Sequence, residues 1–440
     1  MITMPQDVCE IIDTIENAGY EAYAVGGCIR DSILFREPKD WDITTSAKPD
    51  EVKALFKRTI DTGIQHGTVT IILGNCGYEV TTYRIDGEYL DGRHPKEVVF
   101  SASLAEDLRR RDFTMNALAY HPKRGLVDLF DGIGDMQKGV IRCVGVANER
   151  FSEDALRIMR AIRFAGELGY EIEEQTRAAM TLLAENLQKI SAERIQVELN
   201  KLLISAHPEL IRTAYETGIL KVILPHLDTA FHTTQNNPHH CYTVGEHSLK
   251  ATIHVRADKV LRLAALFHDI GKICTKTKDE NGIDHFHGHA AVSRKMTKEI
   301  LKQLKYDNDT TNSVLTLIEY HDYELSLKPE GMRKDISKIG SAYFPMLFEL
   351  KEADVYGQSD YQREQKLDKL AKAKALYQEI MEKGEPLTIK ELDVTGYDLI
   401  EMGIPKGKEL GAKLQYLLDC VLENPDLNHK DILLELASKA

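Results

Sequence analysis

The chain has 440 residues, more than a single hydrophobic core organises, with 43% hydrophobic and 28% charged residues, the make-up of a globular protein with several compact units. No apolar run approaches the length that spans a bilayer, and a formal net charge of −13 excludes a protein that coats nucleic acid by bulk electrostatics, so any RNA contact must be local. Seven cysteines, an odd number without a CxxC pair, read as thiols of a reducing cytosol, with no disulfide framework and no zinc site expected. At the N-terminus Val8, Ile11, Ile12 and Ile15 stand at helical spacing, which predicts an amphipathic helix and not a signal peptide.

Next comes AYAVGGCIRD (22–31). A short strand at 23–25 meets Gly26-Gly27, where the backbone can turn tightly and offer free N–H groups to phosphate oxygens at the start of a helix carrying Arg30. In KDWDIT (39–44) a strand would put Asp40 and Asp42 on one face and Trp41 and Ile43 on the other. Two carboxylates so placed repel each other unless a divalent cation lies between them, and magnesium favours one or two carboxylates together with phosphate oxygens. A solvated acidic turn is the bland alternative. TVTIILG (68–74), YEVTTYRI (78–85) and KEVVFS (96–101) read as further strands; Glu79 shares a face with Thr81 and Tyr83 and can supply a third carboxylate. Glycines for phosphate, a DxD pair and a third acid are what nucleotidyl transfer needs, since that chemistry is mostly positioning and charge screening.

Beyond residue 150 helical periodicity dominates. RRR (109–111) and Arg150, Arg157, Arg160 and Arg163 concentrate positive charge, as a solvated helix face also would. In EDALRIMRAIRF (153–164) Asp154 and Arg157 are three apart, neighbours on one helix face, while Ile158, Ala161 and Ala165 fall on another. A highly charged helix within 359–388 ends in Gly-Glu-Pro and marks the weakest joint.

GGCIRD, DWD, TTYRIDGEYLDGRHP (81–95), RRRDFTMNALAY (109–120), DLFDG (128–132), EDALRIMRAIRFA and SAERI (191–195) resemble the successive motifs of the class II tRNA nucleotidyltransferases, the CCA-adding enzymes and their poly(A) polymerase relatives. The resemblance implies an α+β fold: a small mixed-sheet nucleotidyltransferase head with an N-terminal helix (1–145), then an all-helical neck for base recognition (146–205), body (206–358) and tail (359–440). It implies magnesium on Asp40 and Asp42, with Glu79 as the third acid, and nucleotide contacts from Gly26, Gly27 and Arg30. Asp112 and Asn116 would touch the ribose and Arg111 the triphosphate. Asp154 and Arg157 would read the Watson–Crick edge, with Arg160 and Arg163 as further nucleotide-binding residues; an arginine donor and a carboxylate acceptor together suit the amino groups of cytosine and adenine and reject carbonyls. The loop at 86–95 looks full-length for an enzyme that adds the terminal A.

A second constellation comprises His247 in CYTVGEHSLKA, His268 and Asp269 in RLAALFHDIGK, His287 and His289 in FHGHAAVS, His321 in IEYHD and Asp354 in LKEADVYGQS. A single histidine on an apolar helix is usually a satisfied core residue, but His-Asp followed by Gly-Lys is harder to dismiss. The set resembles the HD superfamily of metal phosphohydrolases over about residues 239–358, which implies a divalent ion (Mn, Ni, Fe or Mg) on His247, His268, Asp269 and Asp354. His289 and His321 would then meet a second metal or the substrate, a phosphoester or 2′,3′-cyclic phosphate; a retained fold without hydrolysis is the alternative. In the tail, GIPKGKELG (403–411) starts a helix where Lys406 and Lys408 can grip RNA phosphate, which in the resemblance is the tRNA elbow.

The expected function is therefore untemplated addition of C, C and A to the tRNA 3′ end from CTP and ATP, in the cytoplasm, with no membrane and no DNA partner. An ATP-only A-adding enzyme or poly(A) polymerase, or a protein that is primarily an HD phosphohydrolase, are the competing readings.

Overall fold

Helix α1 (Gln6–Asn17) buries Val8, Ile11, Ile12 and Ile15 completely, the stripe that its spacing predicts. The computed structural model describes residues 2–64, 67–86 and 98–439, and the chain divides into two compact units, Met1–Pro225 and His226–Ala440. No helix among the described residues is long and apolar enough to cross a membrane.

In the first unit, α1 is followed by β1 (Ala22–Val25), α2 (Gly27–Ile33), β2 (Ile43–Thr45), α3 (Pro49–Leu55), β3 (Thr59–Gly63), β4 (Thr68–Leu73) and β5 (Cys76–Thr82). Then come β6 (Arg84–Asp86), β7 (Val98–Phe100), α4 (Leu104–Arg109), β8 (Leu118–His121) and β9 (Gly125–Asp128). Seven strands form one mixed sheet in the order β3-β4-β5-β2-β1-β8-β9, with β2 and β5 parallel and β6 paired with β7 outside it. The expected mixed-sheet head is thus present. The strand read at 78–85 breaks at Tyr83, whose N–H donates to the Thr45 carbonyl (2.7 Å) while its ring is fully buried; Tyr83 therefore does not continue the face of Glu79. Tyr23, Val25, Ala119 and Tyr83 pack with Leu108 of α4. The loop expected at 86–95 lies, from Gly87 onward, outside the described residues.

The same unit continues through α5 (Gly132–Lys138), β10 (Val140–Ile141), α6 (Ala147–Glu153), α7 (Leu156–Leu168), β11 (Glu171–Ile172), α8 (Glu174–Leu183), α9 (Ala192–Leu203), α10 (Ile211–Glu216) and α11 (Ile219–Ile223). Helix α7 packs on α9, and its Ile158, Ala161, Ile162 and Ala165 are all buried.

The second unit begins within α12 (Pro225–His232). It contains α13 (Val244–His254), α14 (Lys259–Phe267), α15 (Lys272–Thr275), β12 (Thr277–Lys278), β13 (Asp284–His285), α16 (His289–Gln303), α17 (Asn308–Tyr320), α18 (Pro329–Ile339) and α19 (Phe344–Gly357). The chain then runs through α20 (Arg363–Lys383), α21 (Gly396–Glu401), α22 (Lys408–Glu423) and α23 (Lys430–Lys439). Side chains of Thr243, Asp258 and Asp307 cap α13, α14 and α17 by accepting from first-turn amides. The expectation of wholly helical segments needs a small correction, because β10 pairs with β11 and β12 with β13, two residues each. For the second pair the reason is local: Asp279 Oδ1 accepts from the amides of Asn281 and Ile283 at 2.9 Å and Gly282 takes a φ of 79°, closing a hairpin.

Candidate active site and candidate metal centre

At the head, Trp41 and Ile43 are buried while Asp40 and Asp42 are exposed, the alternation expected of an extended segment; β2 itself begins only at Ile43. The pairing of Ile43 with Val80 and of Ala24 with Ile43 carries Asp42, one step on, to the positions beside Glu79 and Val25, and Val25 N–H donates to the Asp42 carbonyl at 2.9 Å. Although Asp42 reaches solvent, the surrounding protein desolvates its carboxyl and raises its pKa; Arg111 opposes this, and the Glu79 and Asp40 carboxylates add to it. Two neighbouring carboxylates that disfavour the ionisation of Asp42 fit a divalent cation, which would relieve the repulsion.

Gly26 supplies the turn that follows β1. Its φ is 83°, its N–H donates to the Leu118 carbonyl (2.9 Å), and a Cβ there would lie 2.9 Å from Arg111 Nη1. Gly27 opens α2. Arg30, 8% exposed, donates to Asn116 Oδ1 at 2.7 Å, and Asn116 in turn donates to Asp112 Oδ1 at 3.0 Å. Asp112 Oδ2 accepts from Arg160 Nε at 2.7 Å. The Asp112 carboxyl is held well below the usual carboxylate range: burial pushes it up, but Arg160 and the Asn116 amide outweigh that. Arg30, Asn116, Asp112 and Arg160 are thus one connected, preorganised set, while Arg111 lies beside Gly26 and pairs with Asp107 at 3.5 Å.

The helix-face pairing of Asp154 with Arg157 is corrected by the structure. Asp154 ends α6 with φ −140° and ψ 102°, and α7 begins only at Leu156, so the two residues do not share a helix. The Asp154 carboxylate accepts from the Leu156 amide (3.0 Å) and from Arg194 Nη2 (2.7 Å). Arg157 donates instead to Glu153 (2.6 Å) and to the carbonyls of Arg150 (3.0 Å) and Arg110 (2.8 Å). Arg163 is buried against Glu198 (2.6 Å) and Glu167 (2.8 Å), tying α7 to α9.

In the second unit four histidines converge. The Nδ1 atoms of His247, His268, His289 and His321 lie 3.0, 2.8, 2.9 and 2.6 Å from the carbonyls of Gly357, Ala265, Phe286 and Ile318. Each Nδ1 therefore donates, and each Nε2 faces the cluster, where it can ligate a metal once deprotonated, the arrangement in which outer hydrogen bonds orient metal-ligating imidazoles. A Cβ on Gly357 would sit 3.0 Å from His247 Nδ1, so a larger residue there would crowd this imidazole. His247 Nε2 lies 3.1 Å from His268 Nε2, 3.2 Å from Asp269 Oδ2 and 2.9 Å from Asp354 Oδ1. On the other side of the same carboxylate, Asp269 Oδ1 lies 3.3 Å from His289 Nε2 and 3.6 Å from His321 Nε2. The donors thus form two groups, His247–His268–Asp269–Asp354 and Asp269–His289–His321, sharing Asp269. Lone pairs converging at such short range fit divalent cations. Burial disfavours the charged form of His247, but hydrogen bonds from its Nε2–H to the Asp269 and Asp354 carboxylates outweigh that and lift its pKa to about 9, so a bound cation would displace this proton. A cleft of about 770 Å³ opens over the cluster; His287 also lines it, outside both ligand groups.

The chain matches three family models: "Poly A polymerase head domain" over residues 22–142, "Probable RNA and SrmB- binding site of polymerase A" over 169–231, and "HD domain" over 239–395. It is 59% identical over 210 residues to a CCA-adding enzyme of Lactiplantibacillus plantarum, a match covering 48% of this chain and 51% of that protein. Its fold is similar to that of a Bacillus stearothermophilus CCA-adding enzyme in complex with CTP, at a TM-score of 0.74 and 29% identity over 99% of this chain and 98% of the other. The chain belongs to the class II CCA-adding enzyme and poly(A) polymerase family, and carries an HD domain. It spans about half the length of the curated relatives it matches. A Thermotoga maritima CCA-adding enzyme complexed with tRNA shares the fold at a TM-score of 0.59 and 20% identity, over 100% of this chain and 97% of that one.

Within this family frame, several residues that work on the two centres escape sequence reasoning. Asp107, fully buried, accepts from Arg110 (2.5 Å) and Thr44 (3.1 Å) and lies 3.5 Å from Arg111; an acid three and four residues before two arginines is the signal that could have found it. Glu153 and Arg194 sit inside quoted motifs and Glu198 three residues beyond SAERI, yet their pairings run across a helix break or between helices. Lys272 Nζ contacts Asp269 Oδ2 at 2.6 Å. Lys406 and Lys408 are exposed at the start of α22, whose N-cap is Gly407.

Proposed function

We propose that the chain is a tRNA nucleotidyltransferase that adds C, C and A to the tRNA 3′ end from CTP and ATP without a nucleic-acid template. The observation that supports this most is the convergence of Asp40, Asp42 and Glu79 beside the Gly26 turn, in a fold matching end to end a relative solved with CTP. In this reading Asp40 and Asp42 hold a divalent cation, magnesium, which supplies charge neutralisation at the triphosphate and the attacking 3′-hydroxyl. Glu79 completes the acidic face. The Gly26-Gly27 turn, Arg30 and Arg111 position phosphates, and Asp112 and Asn116 hold the ribose. Arg160 keeps Asp112 ionised, and Arg163 braces α7 on α9.

Base selection falls to Asp154 and Arg157, which would exchange their contacts with Arg194, Glu153 and backbone carbonyls for the edge of cytosine or adenine. Lys406 and Lys408 would contact RNA phosphate at the elbow. We assign residues 1–145 to the head, 146–205 to the neck, 206–358 to the body with the HD centre and 359–440 to the tail. The reaction belongs in the cytoplasm, where charged nucleotides and tRNA meet.

A second reading concerns the HD centre, where Asp269 joins two donor sets in one cleft. His247, His268, Asp269 and Asp354 would hold one divalent ion (Mn, Ni, Fe or Mg), and His289 and His321 with Asp269 a second. Such a centre polarises a phosphoryl oxygen and supplies a nucleophile for phosphoester hydrolysis.

The deciding experiment supplies the protein and Mg²⁺ with tRNA lacking its last three nucleotides, lacking the last one, or complete. We expect CTP to extend the first, ATP the second, and nothing the third. Incorporation of ATP alone, onto any RNA, would support a poly(A) polymerase or A-adding enzyme instead, and hydrolysis without incorporation an HD phosphohydrolase.

A further inference from the structure

Helix α20 forms one wall of the HD cleft and contributes Lys366 to it. The Lys366 ammonium donates to Gln358 Oε1 at 2.6 Å and to His239 Nδ1 at 3.1 Å, both neutral acceptors. Among the described residues no carboxylate forms an ion pair with it, whereas two other lysines of this cleft have such partners, Lys272 with Asp269 at 2.6 Å and Lys369 with Glu324; Lys351 instead donates to the carbonyls of His321 (2.6 Å) and Tyr323 (2.7 Å). A partly buried ammonium with only neutral partners leaves its positive charge uncompensated. Burial, the largest influence, lowers its pKa, with Asp354 opposing and Arg363 adding to the effect.

Lys366 is also held at a defined place. Gln358 Nε2 donates to both oxygens of Asp354 at 3.1 Å, so a single glutamine amide links the ammonium to a residue of the metal cluster. His239 is fixed in turn by its edge-on contact with the Tyr361 ring, 4.9 Å between centroids. Because His239 Nδ1 accepts from Lys366, the histidine proton resides on Nε2, a second donor in a residue that lines the cleft. The cleft, at about 770 Å³, lies within the range that takes nucleotide-sized ligands and far exceeds the space an isolated phosphate group fills.

We propose that Lys366, with His239, forms an anion subsite beside the metal cluster, so that the HD centre takes substrates bearing a second phosphate next to the scissile one. This rests on the reading of the HD centre as a phosphoesterase. The shared chemistry is a ribose carrying one phosphate on the metal centre and another on Lys366. It can come from a free nucleoside bisphosphate or from an RNA end, where the second group is the backbone phosphodiester.

The test compares wild-type protein with Lys366→Met and Lys366→Arg, with Mn²⁺, on p-nitrophenyl phosphate, adenosine 3′,5′-bisphosphate and a short RNA ending in a 3′-phosphate. For Lys366→Met we expect KM to rise about tenfold on the two substrates with a second phosphate, with kcat and KM on p-nitrophenyl phosphate unchanged and Lys366→Arg restoring most of the loss. A rise confined to the bisphosphate or to the RNA identifies the source. An unchanged KM on both, or an equal loss on p-nitrophenyl phosphate, overturns the subsite. Should the wild type hydrolyse none of the three, the phosphoesterase reading fails by itself; the subsite is then decided by calorimetric binding of adenosine 3′,5′-bisphosphate to metal-stripped protein. Weaker binding by Lys366→Met, with the head's contribution common to both proteins, supports it, and equal binding overturns it.

Discussion

Asp112 shows what a single side chain does in this head. The residue is 7% exposed, and its carboxylate joins Arg160 to the Asn116–Arg30 chain of hydrogen bonds. Replacing it by asparagine leaves Arg160 without its closest partner. We expect a loss of about 2–3 kcal/mol in urea unfolding, under the 3–5 typical of a fully buried pair because Arg160 keeps a third of its side chain in solvent. The sign with pH follows from the depressed folded-state pKa. The stabilisation is complete above the unfolded value of about 3.9 and is lost as pH falls through the lower folded one, so the gap between wild type and Asp112→Asn should narrow in acid. A gap that widens in acid would contradict the assignment. Gly26 makes a different prediction. Gly26→Ala meets a φ of 83° and Arg111 at 2.9 Å, so it should cost about 1 kcal/mol of stability and raise KM for the nucleotide triphosphate as Arg111 is displaced. Initial-rate kinetics on CTP check this.

At the scale of elements, the break between α6 and α7 governs how Asp154 and Arg157 are used. The sequence EDALRIMRAIRF carries an uninterrupted helical period, which is why one helix is the natural reading; the interruption comes from Asp154 capping the Leu156 amide and pairing with Arg194 of α9, 40 residues away. No local pattern encodes a partner so distant. A double-mutant cycle separates the two arrangements. We expect a coupling of about 1 kcal/mol between Asp154→Ala and Arg194→Ala and almost none between Asp154→Ala and Arg157→Ala, measured by urea denaturation. The alternation of Asp40 and Asp42 against Trp41 and Ile43, by contrast, was fully legible, because period two needs no tertiary information once one face is buried. Likewise the α1 stripe and the helix start at Lys408 follow from spacing and from Pro-Lys-Gly. The candidate HD ligands were legible as residue types. Their grouping around a shared Asp269 was not, since it depends on α13, α14, α16, α17 and α19 coming together, with His247 and Gly357 separated by 110 residues.

At the scale of the whole molecule, the two centres belong to different compact units, the carboxylates to Met1–Pro225 and the histidine cluster to His226–Ala440. Each should answer to its own perturbation. A metal bound at 100 times its Kd stabilises the folded state by about 2.7 kcal/mol, so Mn²⁺ should raise the unfolding temperature of the protein, and His268→Ala should remove most of that shift. Nucleotide addition, assigned to the other unit, should continue at the wild-type rate in His268→Ala. Equal loss of both properties would mean that the units do not work separately.

The central claim is that Asp40 and Asp42 carry nucleotide addition. It is tested most directly by the rate at which CTP and ATP are joined to tRNA lacking its 3′ terminus, in wild type and in the Asp40→Asn/Asp42→Asn double variant, with circular dichroism confirming that both are folded. We expect the folded double variant to lose about 10³-fold or more in rate; incorporation at the wild-type rate would contradict the claim.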